Sequence, residues 1–293
     1  MPNRSPLLPL LIALGLWTVA QPASAQAMIP HTLQLNSNLL EQQGLSLAQE
    51  AAQLVQFQQY ELALSRAQLA SQLAPNNAKV WALLGSLYLQ STELDKGIRS
   101  LERARSLDAK NSAVLFALGS AYFQKTQYAR AAEYLQAGLK LKPDTAGALF
   151  DLGNAYYMLK RYQDAIAQYE TAVKQEAKFW PAVNNIGLIR YEQGSVDGAI
   201  KQWRAAVAID AKAAEPQLAL AVALYNKGDR DQGLVLGEKA LELDSRYGDL
   251  KFLKENLWGD RLLTDAKKLL DTPRIQASLA RSQPQSTPQQ PPQ

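Results

Sequence analysis

The chain contains no cysteine and a single histidine, His31. Without cysteine there is no disulfide, no thiolate metal site, no cysteine nucleophile and no lipid-modified cysteine anchor. One histidine with nothing to pair it leaves imidazole-based metal binding and acid–base catalysis without material. No glycine-rich phosphate loop and no calcium-loop spacing occurs, and the acids stand at helix starts and on solvent faces. Basic runs are missing as well. Lys plus Arg is 31 against 27 for Asp plus Glu, a net charge of +4 with the signs interspersed, which argues against nucleic acid as a partner. These absences together read as a non-enzyme with no cofactor and no metal.

Apolar material is plentiful, at 47% of 293 residues, enough for an extensive core. The two ends stand apart from it. Residues 1–27 carry Arg4, an apolar run over 7–20 and then QPASAQA, the order of a secretory signal with small-x-small sites at Ala23-Ser24-Ala25 and Ala25-Gln26-Ala27. The apolar run is shorter than the ~20 residues a bilayer span needs. The expectation is therefore cleavage, export, and no stable membrane insertion afterwards. Residues 282–293, SQPQSTPQQPPQ, hold only Ser, Thr, Pro and Gln and read as a disordered tail.

One period organises the chain between these ends. Gly85, Gly119, Gly153 and Gly187 lie 34 residues apart, each preceded by a large aliphatic: Leu84, Leu118, Leu152 and Ile186. Twelve residues beyond each glycine stands another small residue, Gly97, Ala131, Ala165 or Ala199. The frame extends outward to Ala51 with Ala63, and to Ala221 with Gly233. Six units fit without an insertion, the mark of a solenoid. In the third of the glycine units, Leu149, Leu152, Gly153 and Tyr156 make one face of a first helix; Ala165, Tyr169, Ala172 and Val173 make one face of a second. Residues 160–162 leave room only for an antiparallel turn. Gly194 and Gly228 suit the left-handed residue that ends a helix at that turn. Asn77, Asn111 and Thr145 stand where the following first helix needs its N-cap; Glu61, Asp95, Asp197 and Asp231 stand where an acid caps or favours the second. A mid-helix glycine costs about 1 kcal/mol against alanine. Its recurrence implies a compensating contact, expected to be a close approach of Gly153 to Ala165 with Tyr156 and Tyr169 filling the space beside it.

Trp81, Leu84, Gly85, Tyr88 and Ala104 match the favoured positions of a known repeat in one unit, and Leu118, Gly119, Tyr122, Ala131 and Pro143 in the next. Leu152, Gly153, Tyr156, Ala165, Tyr169 and Ala172 give the best copy; Gly187, Ala199, Trp203 and Ala206 follow. The sequence resembles the tetratricopeptide repeat. The resemblance implies an all-α fold: a right-handed superhelical solenoid of about six 34-residue helix-turn-helix repeats with a C-terminal capping helix. The domain plan is a signal peptide at 1–27, an N-terminal extension and capping-helix start at 28–43, repeats at 44–245, capping helices at 246–281 and the tail at 282–293. Residues 250–270 look like the tail that follows these repeats in some cyanobacterial proteins, which makes the expected compartment the periplasm or a thylakoid lumen.

The family also implies a concave groove, lined by the first helices, for a peptide or helix of a partner protein. One family variant grips a C-terminal carboxylate with lysine and arginine. Here Ala48, Ala52, Leu83, Ala113 and Ala117 occupy those positions, so that clamp is missing. The candidate groove residues are Phe116, Phe123, Phe150, Asn154, Tyr157, Asn184, Asn185, Tyr191 and Tyr225. Aromatics offer large contact area at low entropic cost, and asparagine can both donate to and accept from a peptide backbone. The competing expectation is that several of the aromatics pack between repeats. The function expected is an exported scaffold or adaptor, such as an assembly factor. The alternatives are a self-associating solenoid, homo-oligomeric through end helices around Trp258, and a glycan-binding module using the aromatics.

Overall fold

Six helical hairpins follow one another along the chain, and each packs on the next. They are α1 (Ser37–Gln56) with α2 (Tyr60–Leu73), α3 (Ala78–Gln90) with α4 (Leu94–Leu107), and α5 (Ser112–Gln124) with α6 (Tyr128–Leu141). Then come α7 (Ala146–Met158) with α8 (Tyr162–Gln175), α9 (Trp180–Glu192) with α10 (Val196–Ile209), and α11 (Ala214–Lys227) with α12 (Arg230–Leu243). A short 3-10 turn (Ser245–Gly248) leads to α13 (Leu250–Glu255), α14 (Asp260–Leu270) and α15 (Pro273–Ser282). This computed structural model describes residues 36–282, and no strand occurs among them. The signal-like residues 1–27, His31 and all of the proline-rich tail beyond Ser282 lie outside the described residues. No described helix is long and apolar enough to cross a membrane.

The turns obey the period at the level of single backbone angles. Gln58, Thr92, Thr126, Lys160, Gly194 and Gly228, one per hairpin, all have positive φ. After each, the chain closes the first helix by paired hydrogen bonds: Thr126 N–H donates to Phe123 O at 2.8 Å, and Gln127 N–H to Tyr122 O at 2.9 Å. That is the Schellman arrangement, which needs one left-handed residue. Glycine meets this need in two hairpins. Thr92 and Thr126 meet it under strain, because a β-branched side chain crowds its own backbone there.

N-caps follow the sequence in part. Asn77 Oδ1 accepts from Lys79 and Val80 N–H, and Asn111 Oδ1 from Val114 N–H. Thr145 does not cap; its hydroxyl donates back to Lys142 O. The acids of the second helices lie in the first turn without capping it. Asp95 and Asp197 instead pair with Lys125 and Lys227 of the following hairpin.

At the recurrent glycine the nearest atoms belong to a large side chain of the second helix. A Cβ placed on Gly153 would lie 2.4 Å from the Tyr169 ring. On Gly85 it would meet Leu101 at 2.6 Å, on Gly119 Leu135 at 2.5 Å, and on Gly187 the Trp203 indole at 2.5 Å. In all four the partner stands sixteen residues on and is fully buried. The +12 residue's backbone stands behind this, as where the Cβ placed on Gly85 would lie 3.2 Å from Gly97 O. The outermost pairs are small on both sides: Ala51 is matched with Ala67, and Ala221 with Gly237. In these four hairpins glycine is thus the hole into which the second helix sets a large, fully buried side chain.

Candidate functional site

The nine candidate residues lie on α5, α7, α9 and α11, the helices expected to line a groove. A ladder of contacts links successive first helices with a spacing of 31 residues. Ser120 Oγ donates to Asp151 Oδ2 at 3.2 Å, and Asn185 Nδ2 to Asn154 Oδ1 at 2.9 Å. In the same register stand Leu188 and Ala219, both buried in one apolar cluster. Polar rungs give way to apolar ones towards the C-terminus.

The reason is the chain itself. α14 packs on α9 and on α11 as well as on α12. Trp258, Leu262, Ala266 and Leu269 share one buried cluster with Leu188, Tyr191 and Val222. The junction is bonded as well as packed. Glu192 accepts from the N–H groups of Arg261 (3.3 Å) and Leu262 (3.0 Å), an acid at the positive end of α14. Tyr191 Oη donates to Asp265 Oδ2 at 2.8 Å, and Asn226 Nδ2 donates to Asp265 O at 3.2 Å. Gly259 permits the approach, since a Cβ there would fall 2.2 Å from the Glu192 carboxyl carbon.

Tyr191 is consequently 1% exposed and Tyr157 8%. Asn184 is 0% exposed; its Nδ2 donates to Asn185 Oδ1 at 3.1 Å, and its backbone carbonyl accepts from Trp203 Nε1 at 3.2 Å. Tyr169 Oη donates to Asn154 Oδ1 at 2.7 Å. The three asparagines therefore bond chiefly to one another and to neighbouring rings. Among the described residues Asn154 Nδ2 has no hydrogen-bond partner. Among the other aromatics, Phe116 fills the space above Gly138, Phe123 meets Tyr128 edge-on, and Phe150 packs on Tyr169 and Phe179. Tyr225 lies beneath the Arg230 guanidinium. Trp258, expected at an exposed end, is 3% exposed and donates from Nε1 to Glu215 Oε1 at 3.1 Å.

Two clefts stay open further towards the N-terminus. One, of about 210 Å³, runs between α3 and α5 and is lined by Lys79, Leu83, Ser86, Ala113 and Ala117 among others. The next, of about 260 Å³, lies between α5 and α7 and is lined by Ser120, Phe123, Gln124, Asp151 and Asn154. No cluster of potential metal ligands occurs among the described residues.

The family described as tetratricopeptide repeat matches residues 82–143 and, overlapping, 116–182; a second model, described as TPR repeat, matches 187–228. The described residues form an all-helical, TPR-type array of stacked helix-turn-helix hairpins. Its helices superpose on three solved structures of similar proteins. MamA is 25% identical over 55% of this chain and 95% of its own, with a TM-score of 0.52. YrrB, described as a TPR protein with an unusual peptide-binding site, is 19% identical over 69% of this chain and 97% of its own, with a TM-score of 0.51. PilF of Pseudomonas aeruginosa is 17% identical over 75% of this chain and 98% of its own, with a TM-score of 0.61. No curated protein matches the sequence. Tetratricopeptide-repeat proteins are in general protein–protein interaction scaffolds, typically non-catalytic.

Within this tetratricopeptide-repeat array Glu215 couples the seat of the C-terminal segment to pH. Burial pushes its carboxyl up to about 7, against the opposing bonds from Trp258 and Asn184. The folded pKa lies above the unfolded one, so the folded state holds the extra proton between about pH 4.5 and 7, and stability falls as pH rises through that window. The loss is on the order of 1–3 kcal/mol. Glu215→Gln should flatten this part of the curve. Urea midpoints of both proteins at pH 5 and 8 check it; an unchanged pH difference in the variant would assign the effect elsewhere.

Proposed function

We propose that the protein is an interaction scaffold that takes an extended segment of another protein in the open half of its groove, along α3, α5 and α7. The observation that carries this reading is the division of the groove: α9 and α11 are covered by the protein's own C-terminal helices, while the two clefts beside α5 are not. Magnitudes keep the covered half closed. Lifting α13 and α14 would re-expose Leu253, Trp258, Leu262, Leu269 and Leu270, together on the order of 10 kcal/mol, above the roughly 8 kcal/mol a micromolar ligand supplies. Small walls at Ser86, Ala113 and Ala117 suit side chains of an extended peptide, with Asn154 Nδ2 free to meet its backbone. Export to the periplasm or a thylakoid lumen is supported by the signal-like residues 1–27. A role in assembly is in keeping with a scaffold that has no catalytic constellation among its described residues. The rings of Phe150 and Tyr169, on which a glycan would stack, are packed against protein, which favours the peptide.

A random linear-peptide phage library panned against the full chain should yield binders. Their affinity, measured by calorimetry, should be lost in the double variant Ala113→Trp/Gln124→Trp. Both positions are exposed on the cleft rims, so the melting temperature should hold. Equal binding to the blocked variant, or no enriched peptide, would move the binding surface away from this groove.

A further inference from the structure

A carboxylate with no cation beside it among the described residues stands in the open half of the groove. Asp151, on α7, receives one hydrogen bond, from Ser120. Burial holds its pKa above the usual carboxylate range, with the Ser120 bond working the other way. None of the residues lining its cleft is a lysine or arginine, and Lys125, on the same side of the sequence, is paired with Asp95. Two acids further along the first helices are answered within the protein. Glu192 holds the α14 amides, and Glu215 holds the Trp258 indole. A carboxylate drawn out of water is costly until a cation or several donors meet it, and Asp151 has one neutral donor. Its cleft is also open and carries two further groups suited to a ligand. The Asn154 amide, one turn along α7, has donors to offer, and the Phe123 ring forms part of the wall.

We propose that the segment bound in this groove carries an arginine or lysine whose head enters the α5–α7 cleft and pairs with Asp151. This rests on the peptide-binding reading above and names the chemistry of the partner. The flat guanidinium can bond the carboxylate with two N–H groups and lie against Phe123, so arginine fits better than lysine. Asn154 Nδ2 donates to a carbonyl of the same segment. In the adjoining cleft Lys79 is the charged residue, so the sign of the groove changes from one repeat to the next and sets the direction in which a basic segment lies.

The library-selected peptides test this. Binders blocked by Ala113→Trp/Gln124→Trp should share an arginine or lysine at one fixed place. Replacing that residue by norleucine, or Asp151 by asparagine, should each weaken binding roughly ten- to hundredfold. Combining the two changes should add little. Circular dichroism and melting of Asp151→Asn should match wild type, since an isosteric amide still accepts from Ser120. Groove-dependent binders with no basic position, or with equal affinity for Asp151→Asn, would overturn the pairing and leave the peptide reading standing. Binders indifferent to the blocking pair, or a failure to obtain any, would remove both.

Discussion

Gly153→Leu should lower the stability of the array by about 3 kcal/mol or more, while Gly147→Ala, two turns earlier on the same helix, should raise it by a few tenths. A Cβ on Gly153 alone falls 2.4 Å from a ring carbon of Tyr169. Tyr169 cannot yield, because it is fully buried and its hydroxyl is bonded to Asn154. Leucine therefore has to part the two helices of the hairpin, lose the bond or do both. At Gly147 nothing lies within 4 Å of a new Cβ, so only the gain in helix propensity remains. Urea midpoints of the two variants against wild type decide the matter. Shifts of the same sign at both positions would mean that the glycine is not the socket for the second helix.

Trp258→Ala should cost about 3–5 kcal/mol, the range for removing a buried aromatic. It should also leave the Glu215 carboxyl without its indole donor. The effect should be local, since each element of a repeat array is stabilised chiefly by its immediate neighbours. Hydrogen exchange is expected to quicken in α13, α14 and the covered faces of α9 and α11, with α3 to α6 near wild-type rates. An even rise along the whole array would show that the C-terminal helices are not seated on the groove independently of the rest.

The two expectations depended on different kinds of information. The 34-residue frame identified the hairpins, the turn glycines at 194 and 228, and Asn77 and Asn111 as caps, because each is decided by neighbours close in sequence. The same frame assigned Asn184, Asn185 and Tyr191 to a groove, and had no means of saying what covers that groove. One signal was present and was not used. Residues 218–224, LALAVAL, are apolar on every side of α11, and a helix apolar all round is a covered helix. The ionic partner inferred for Asp151 likewise replaces the neutral contacts that the asparagines suggested.

Taken by itself, the sequence determined the repeat: its length, its two helices, the residue that turns between them, and the glycine that must face something large. These follow from backbone preferences and from a stripe of apolar residues recurring at helical spacing, both local properties. Tertiary structure alone decided which of the first helices are covered. An amphipathic helix such as α14 declares that one face must be buried, but not against which surface. That choice fell to contacts like Glu192 with Arg261 and Tyr191 with Asp265, between residues 69 and 74 apart in the chain, where shape and charge had to agree at once.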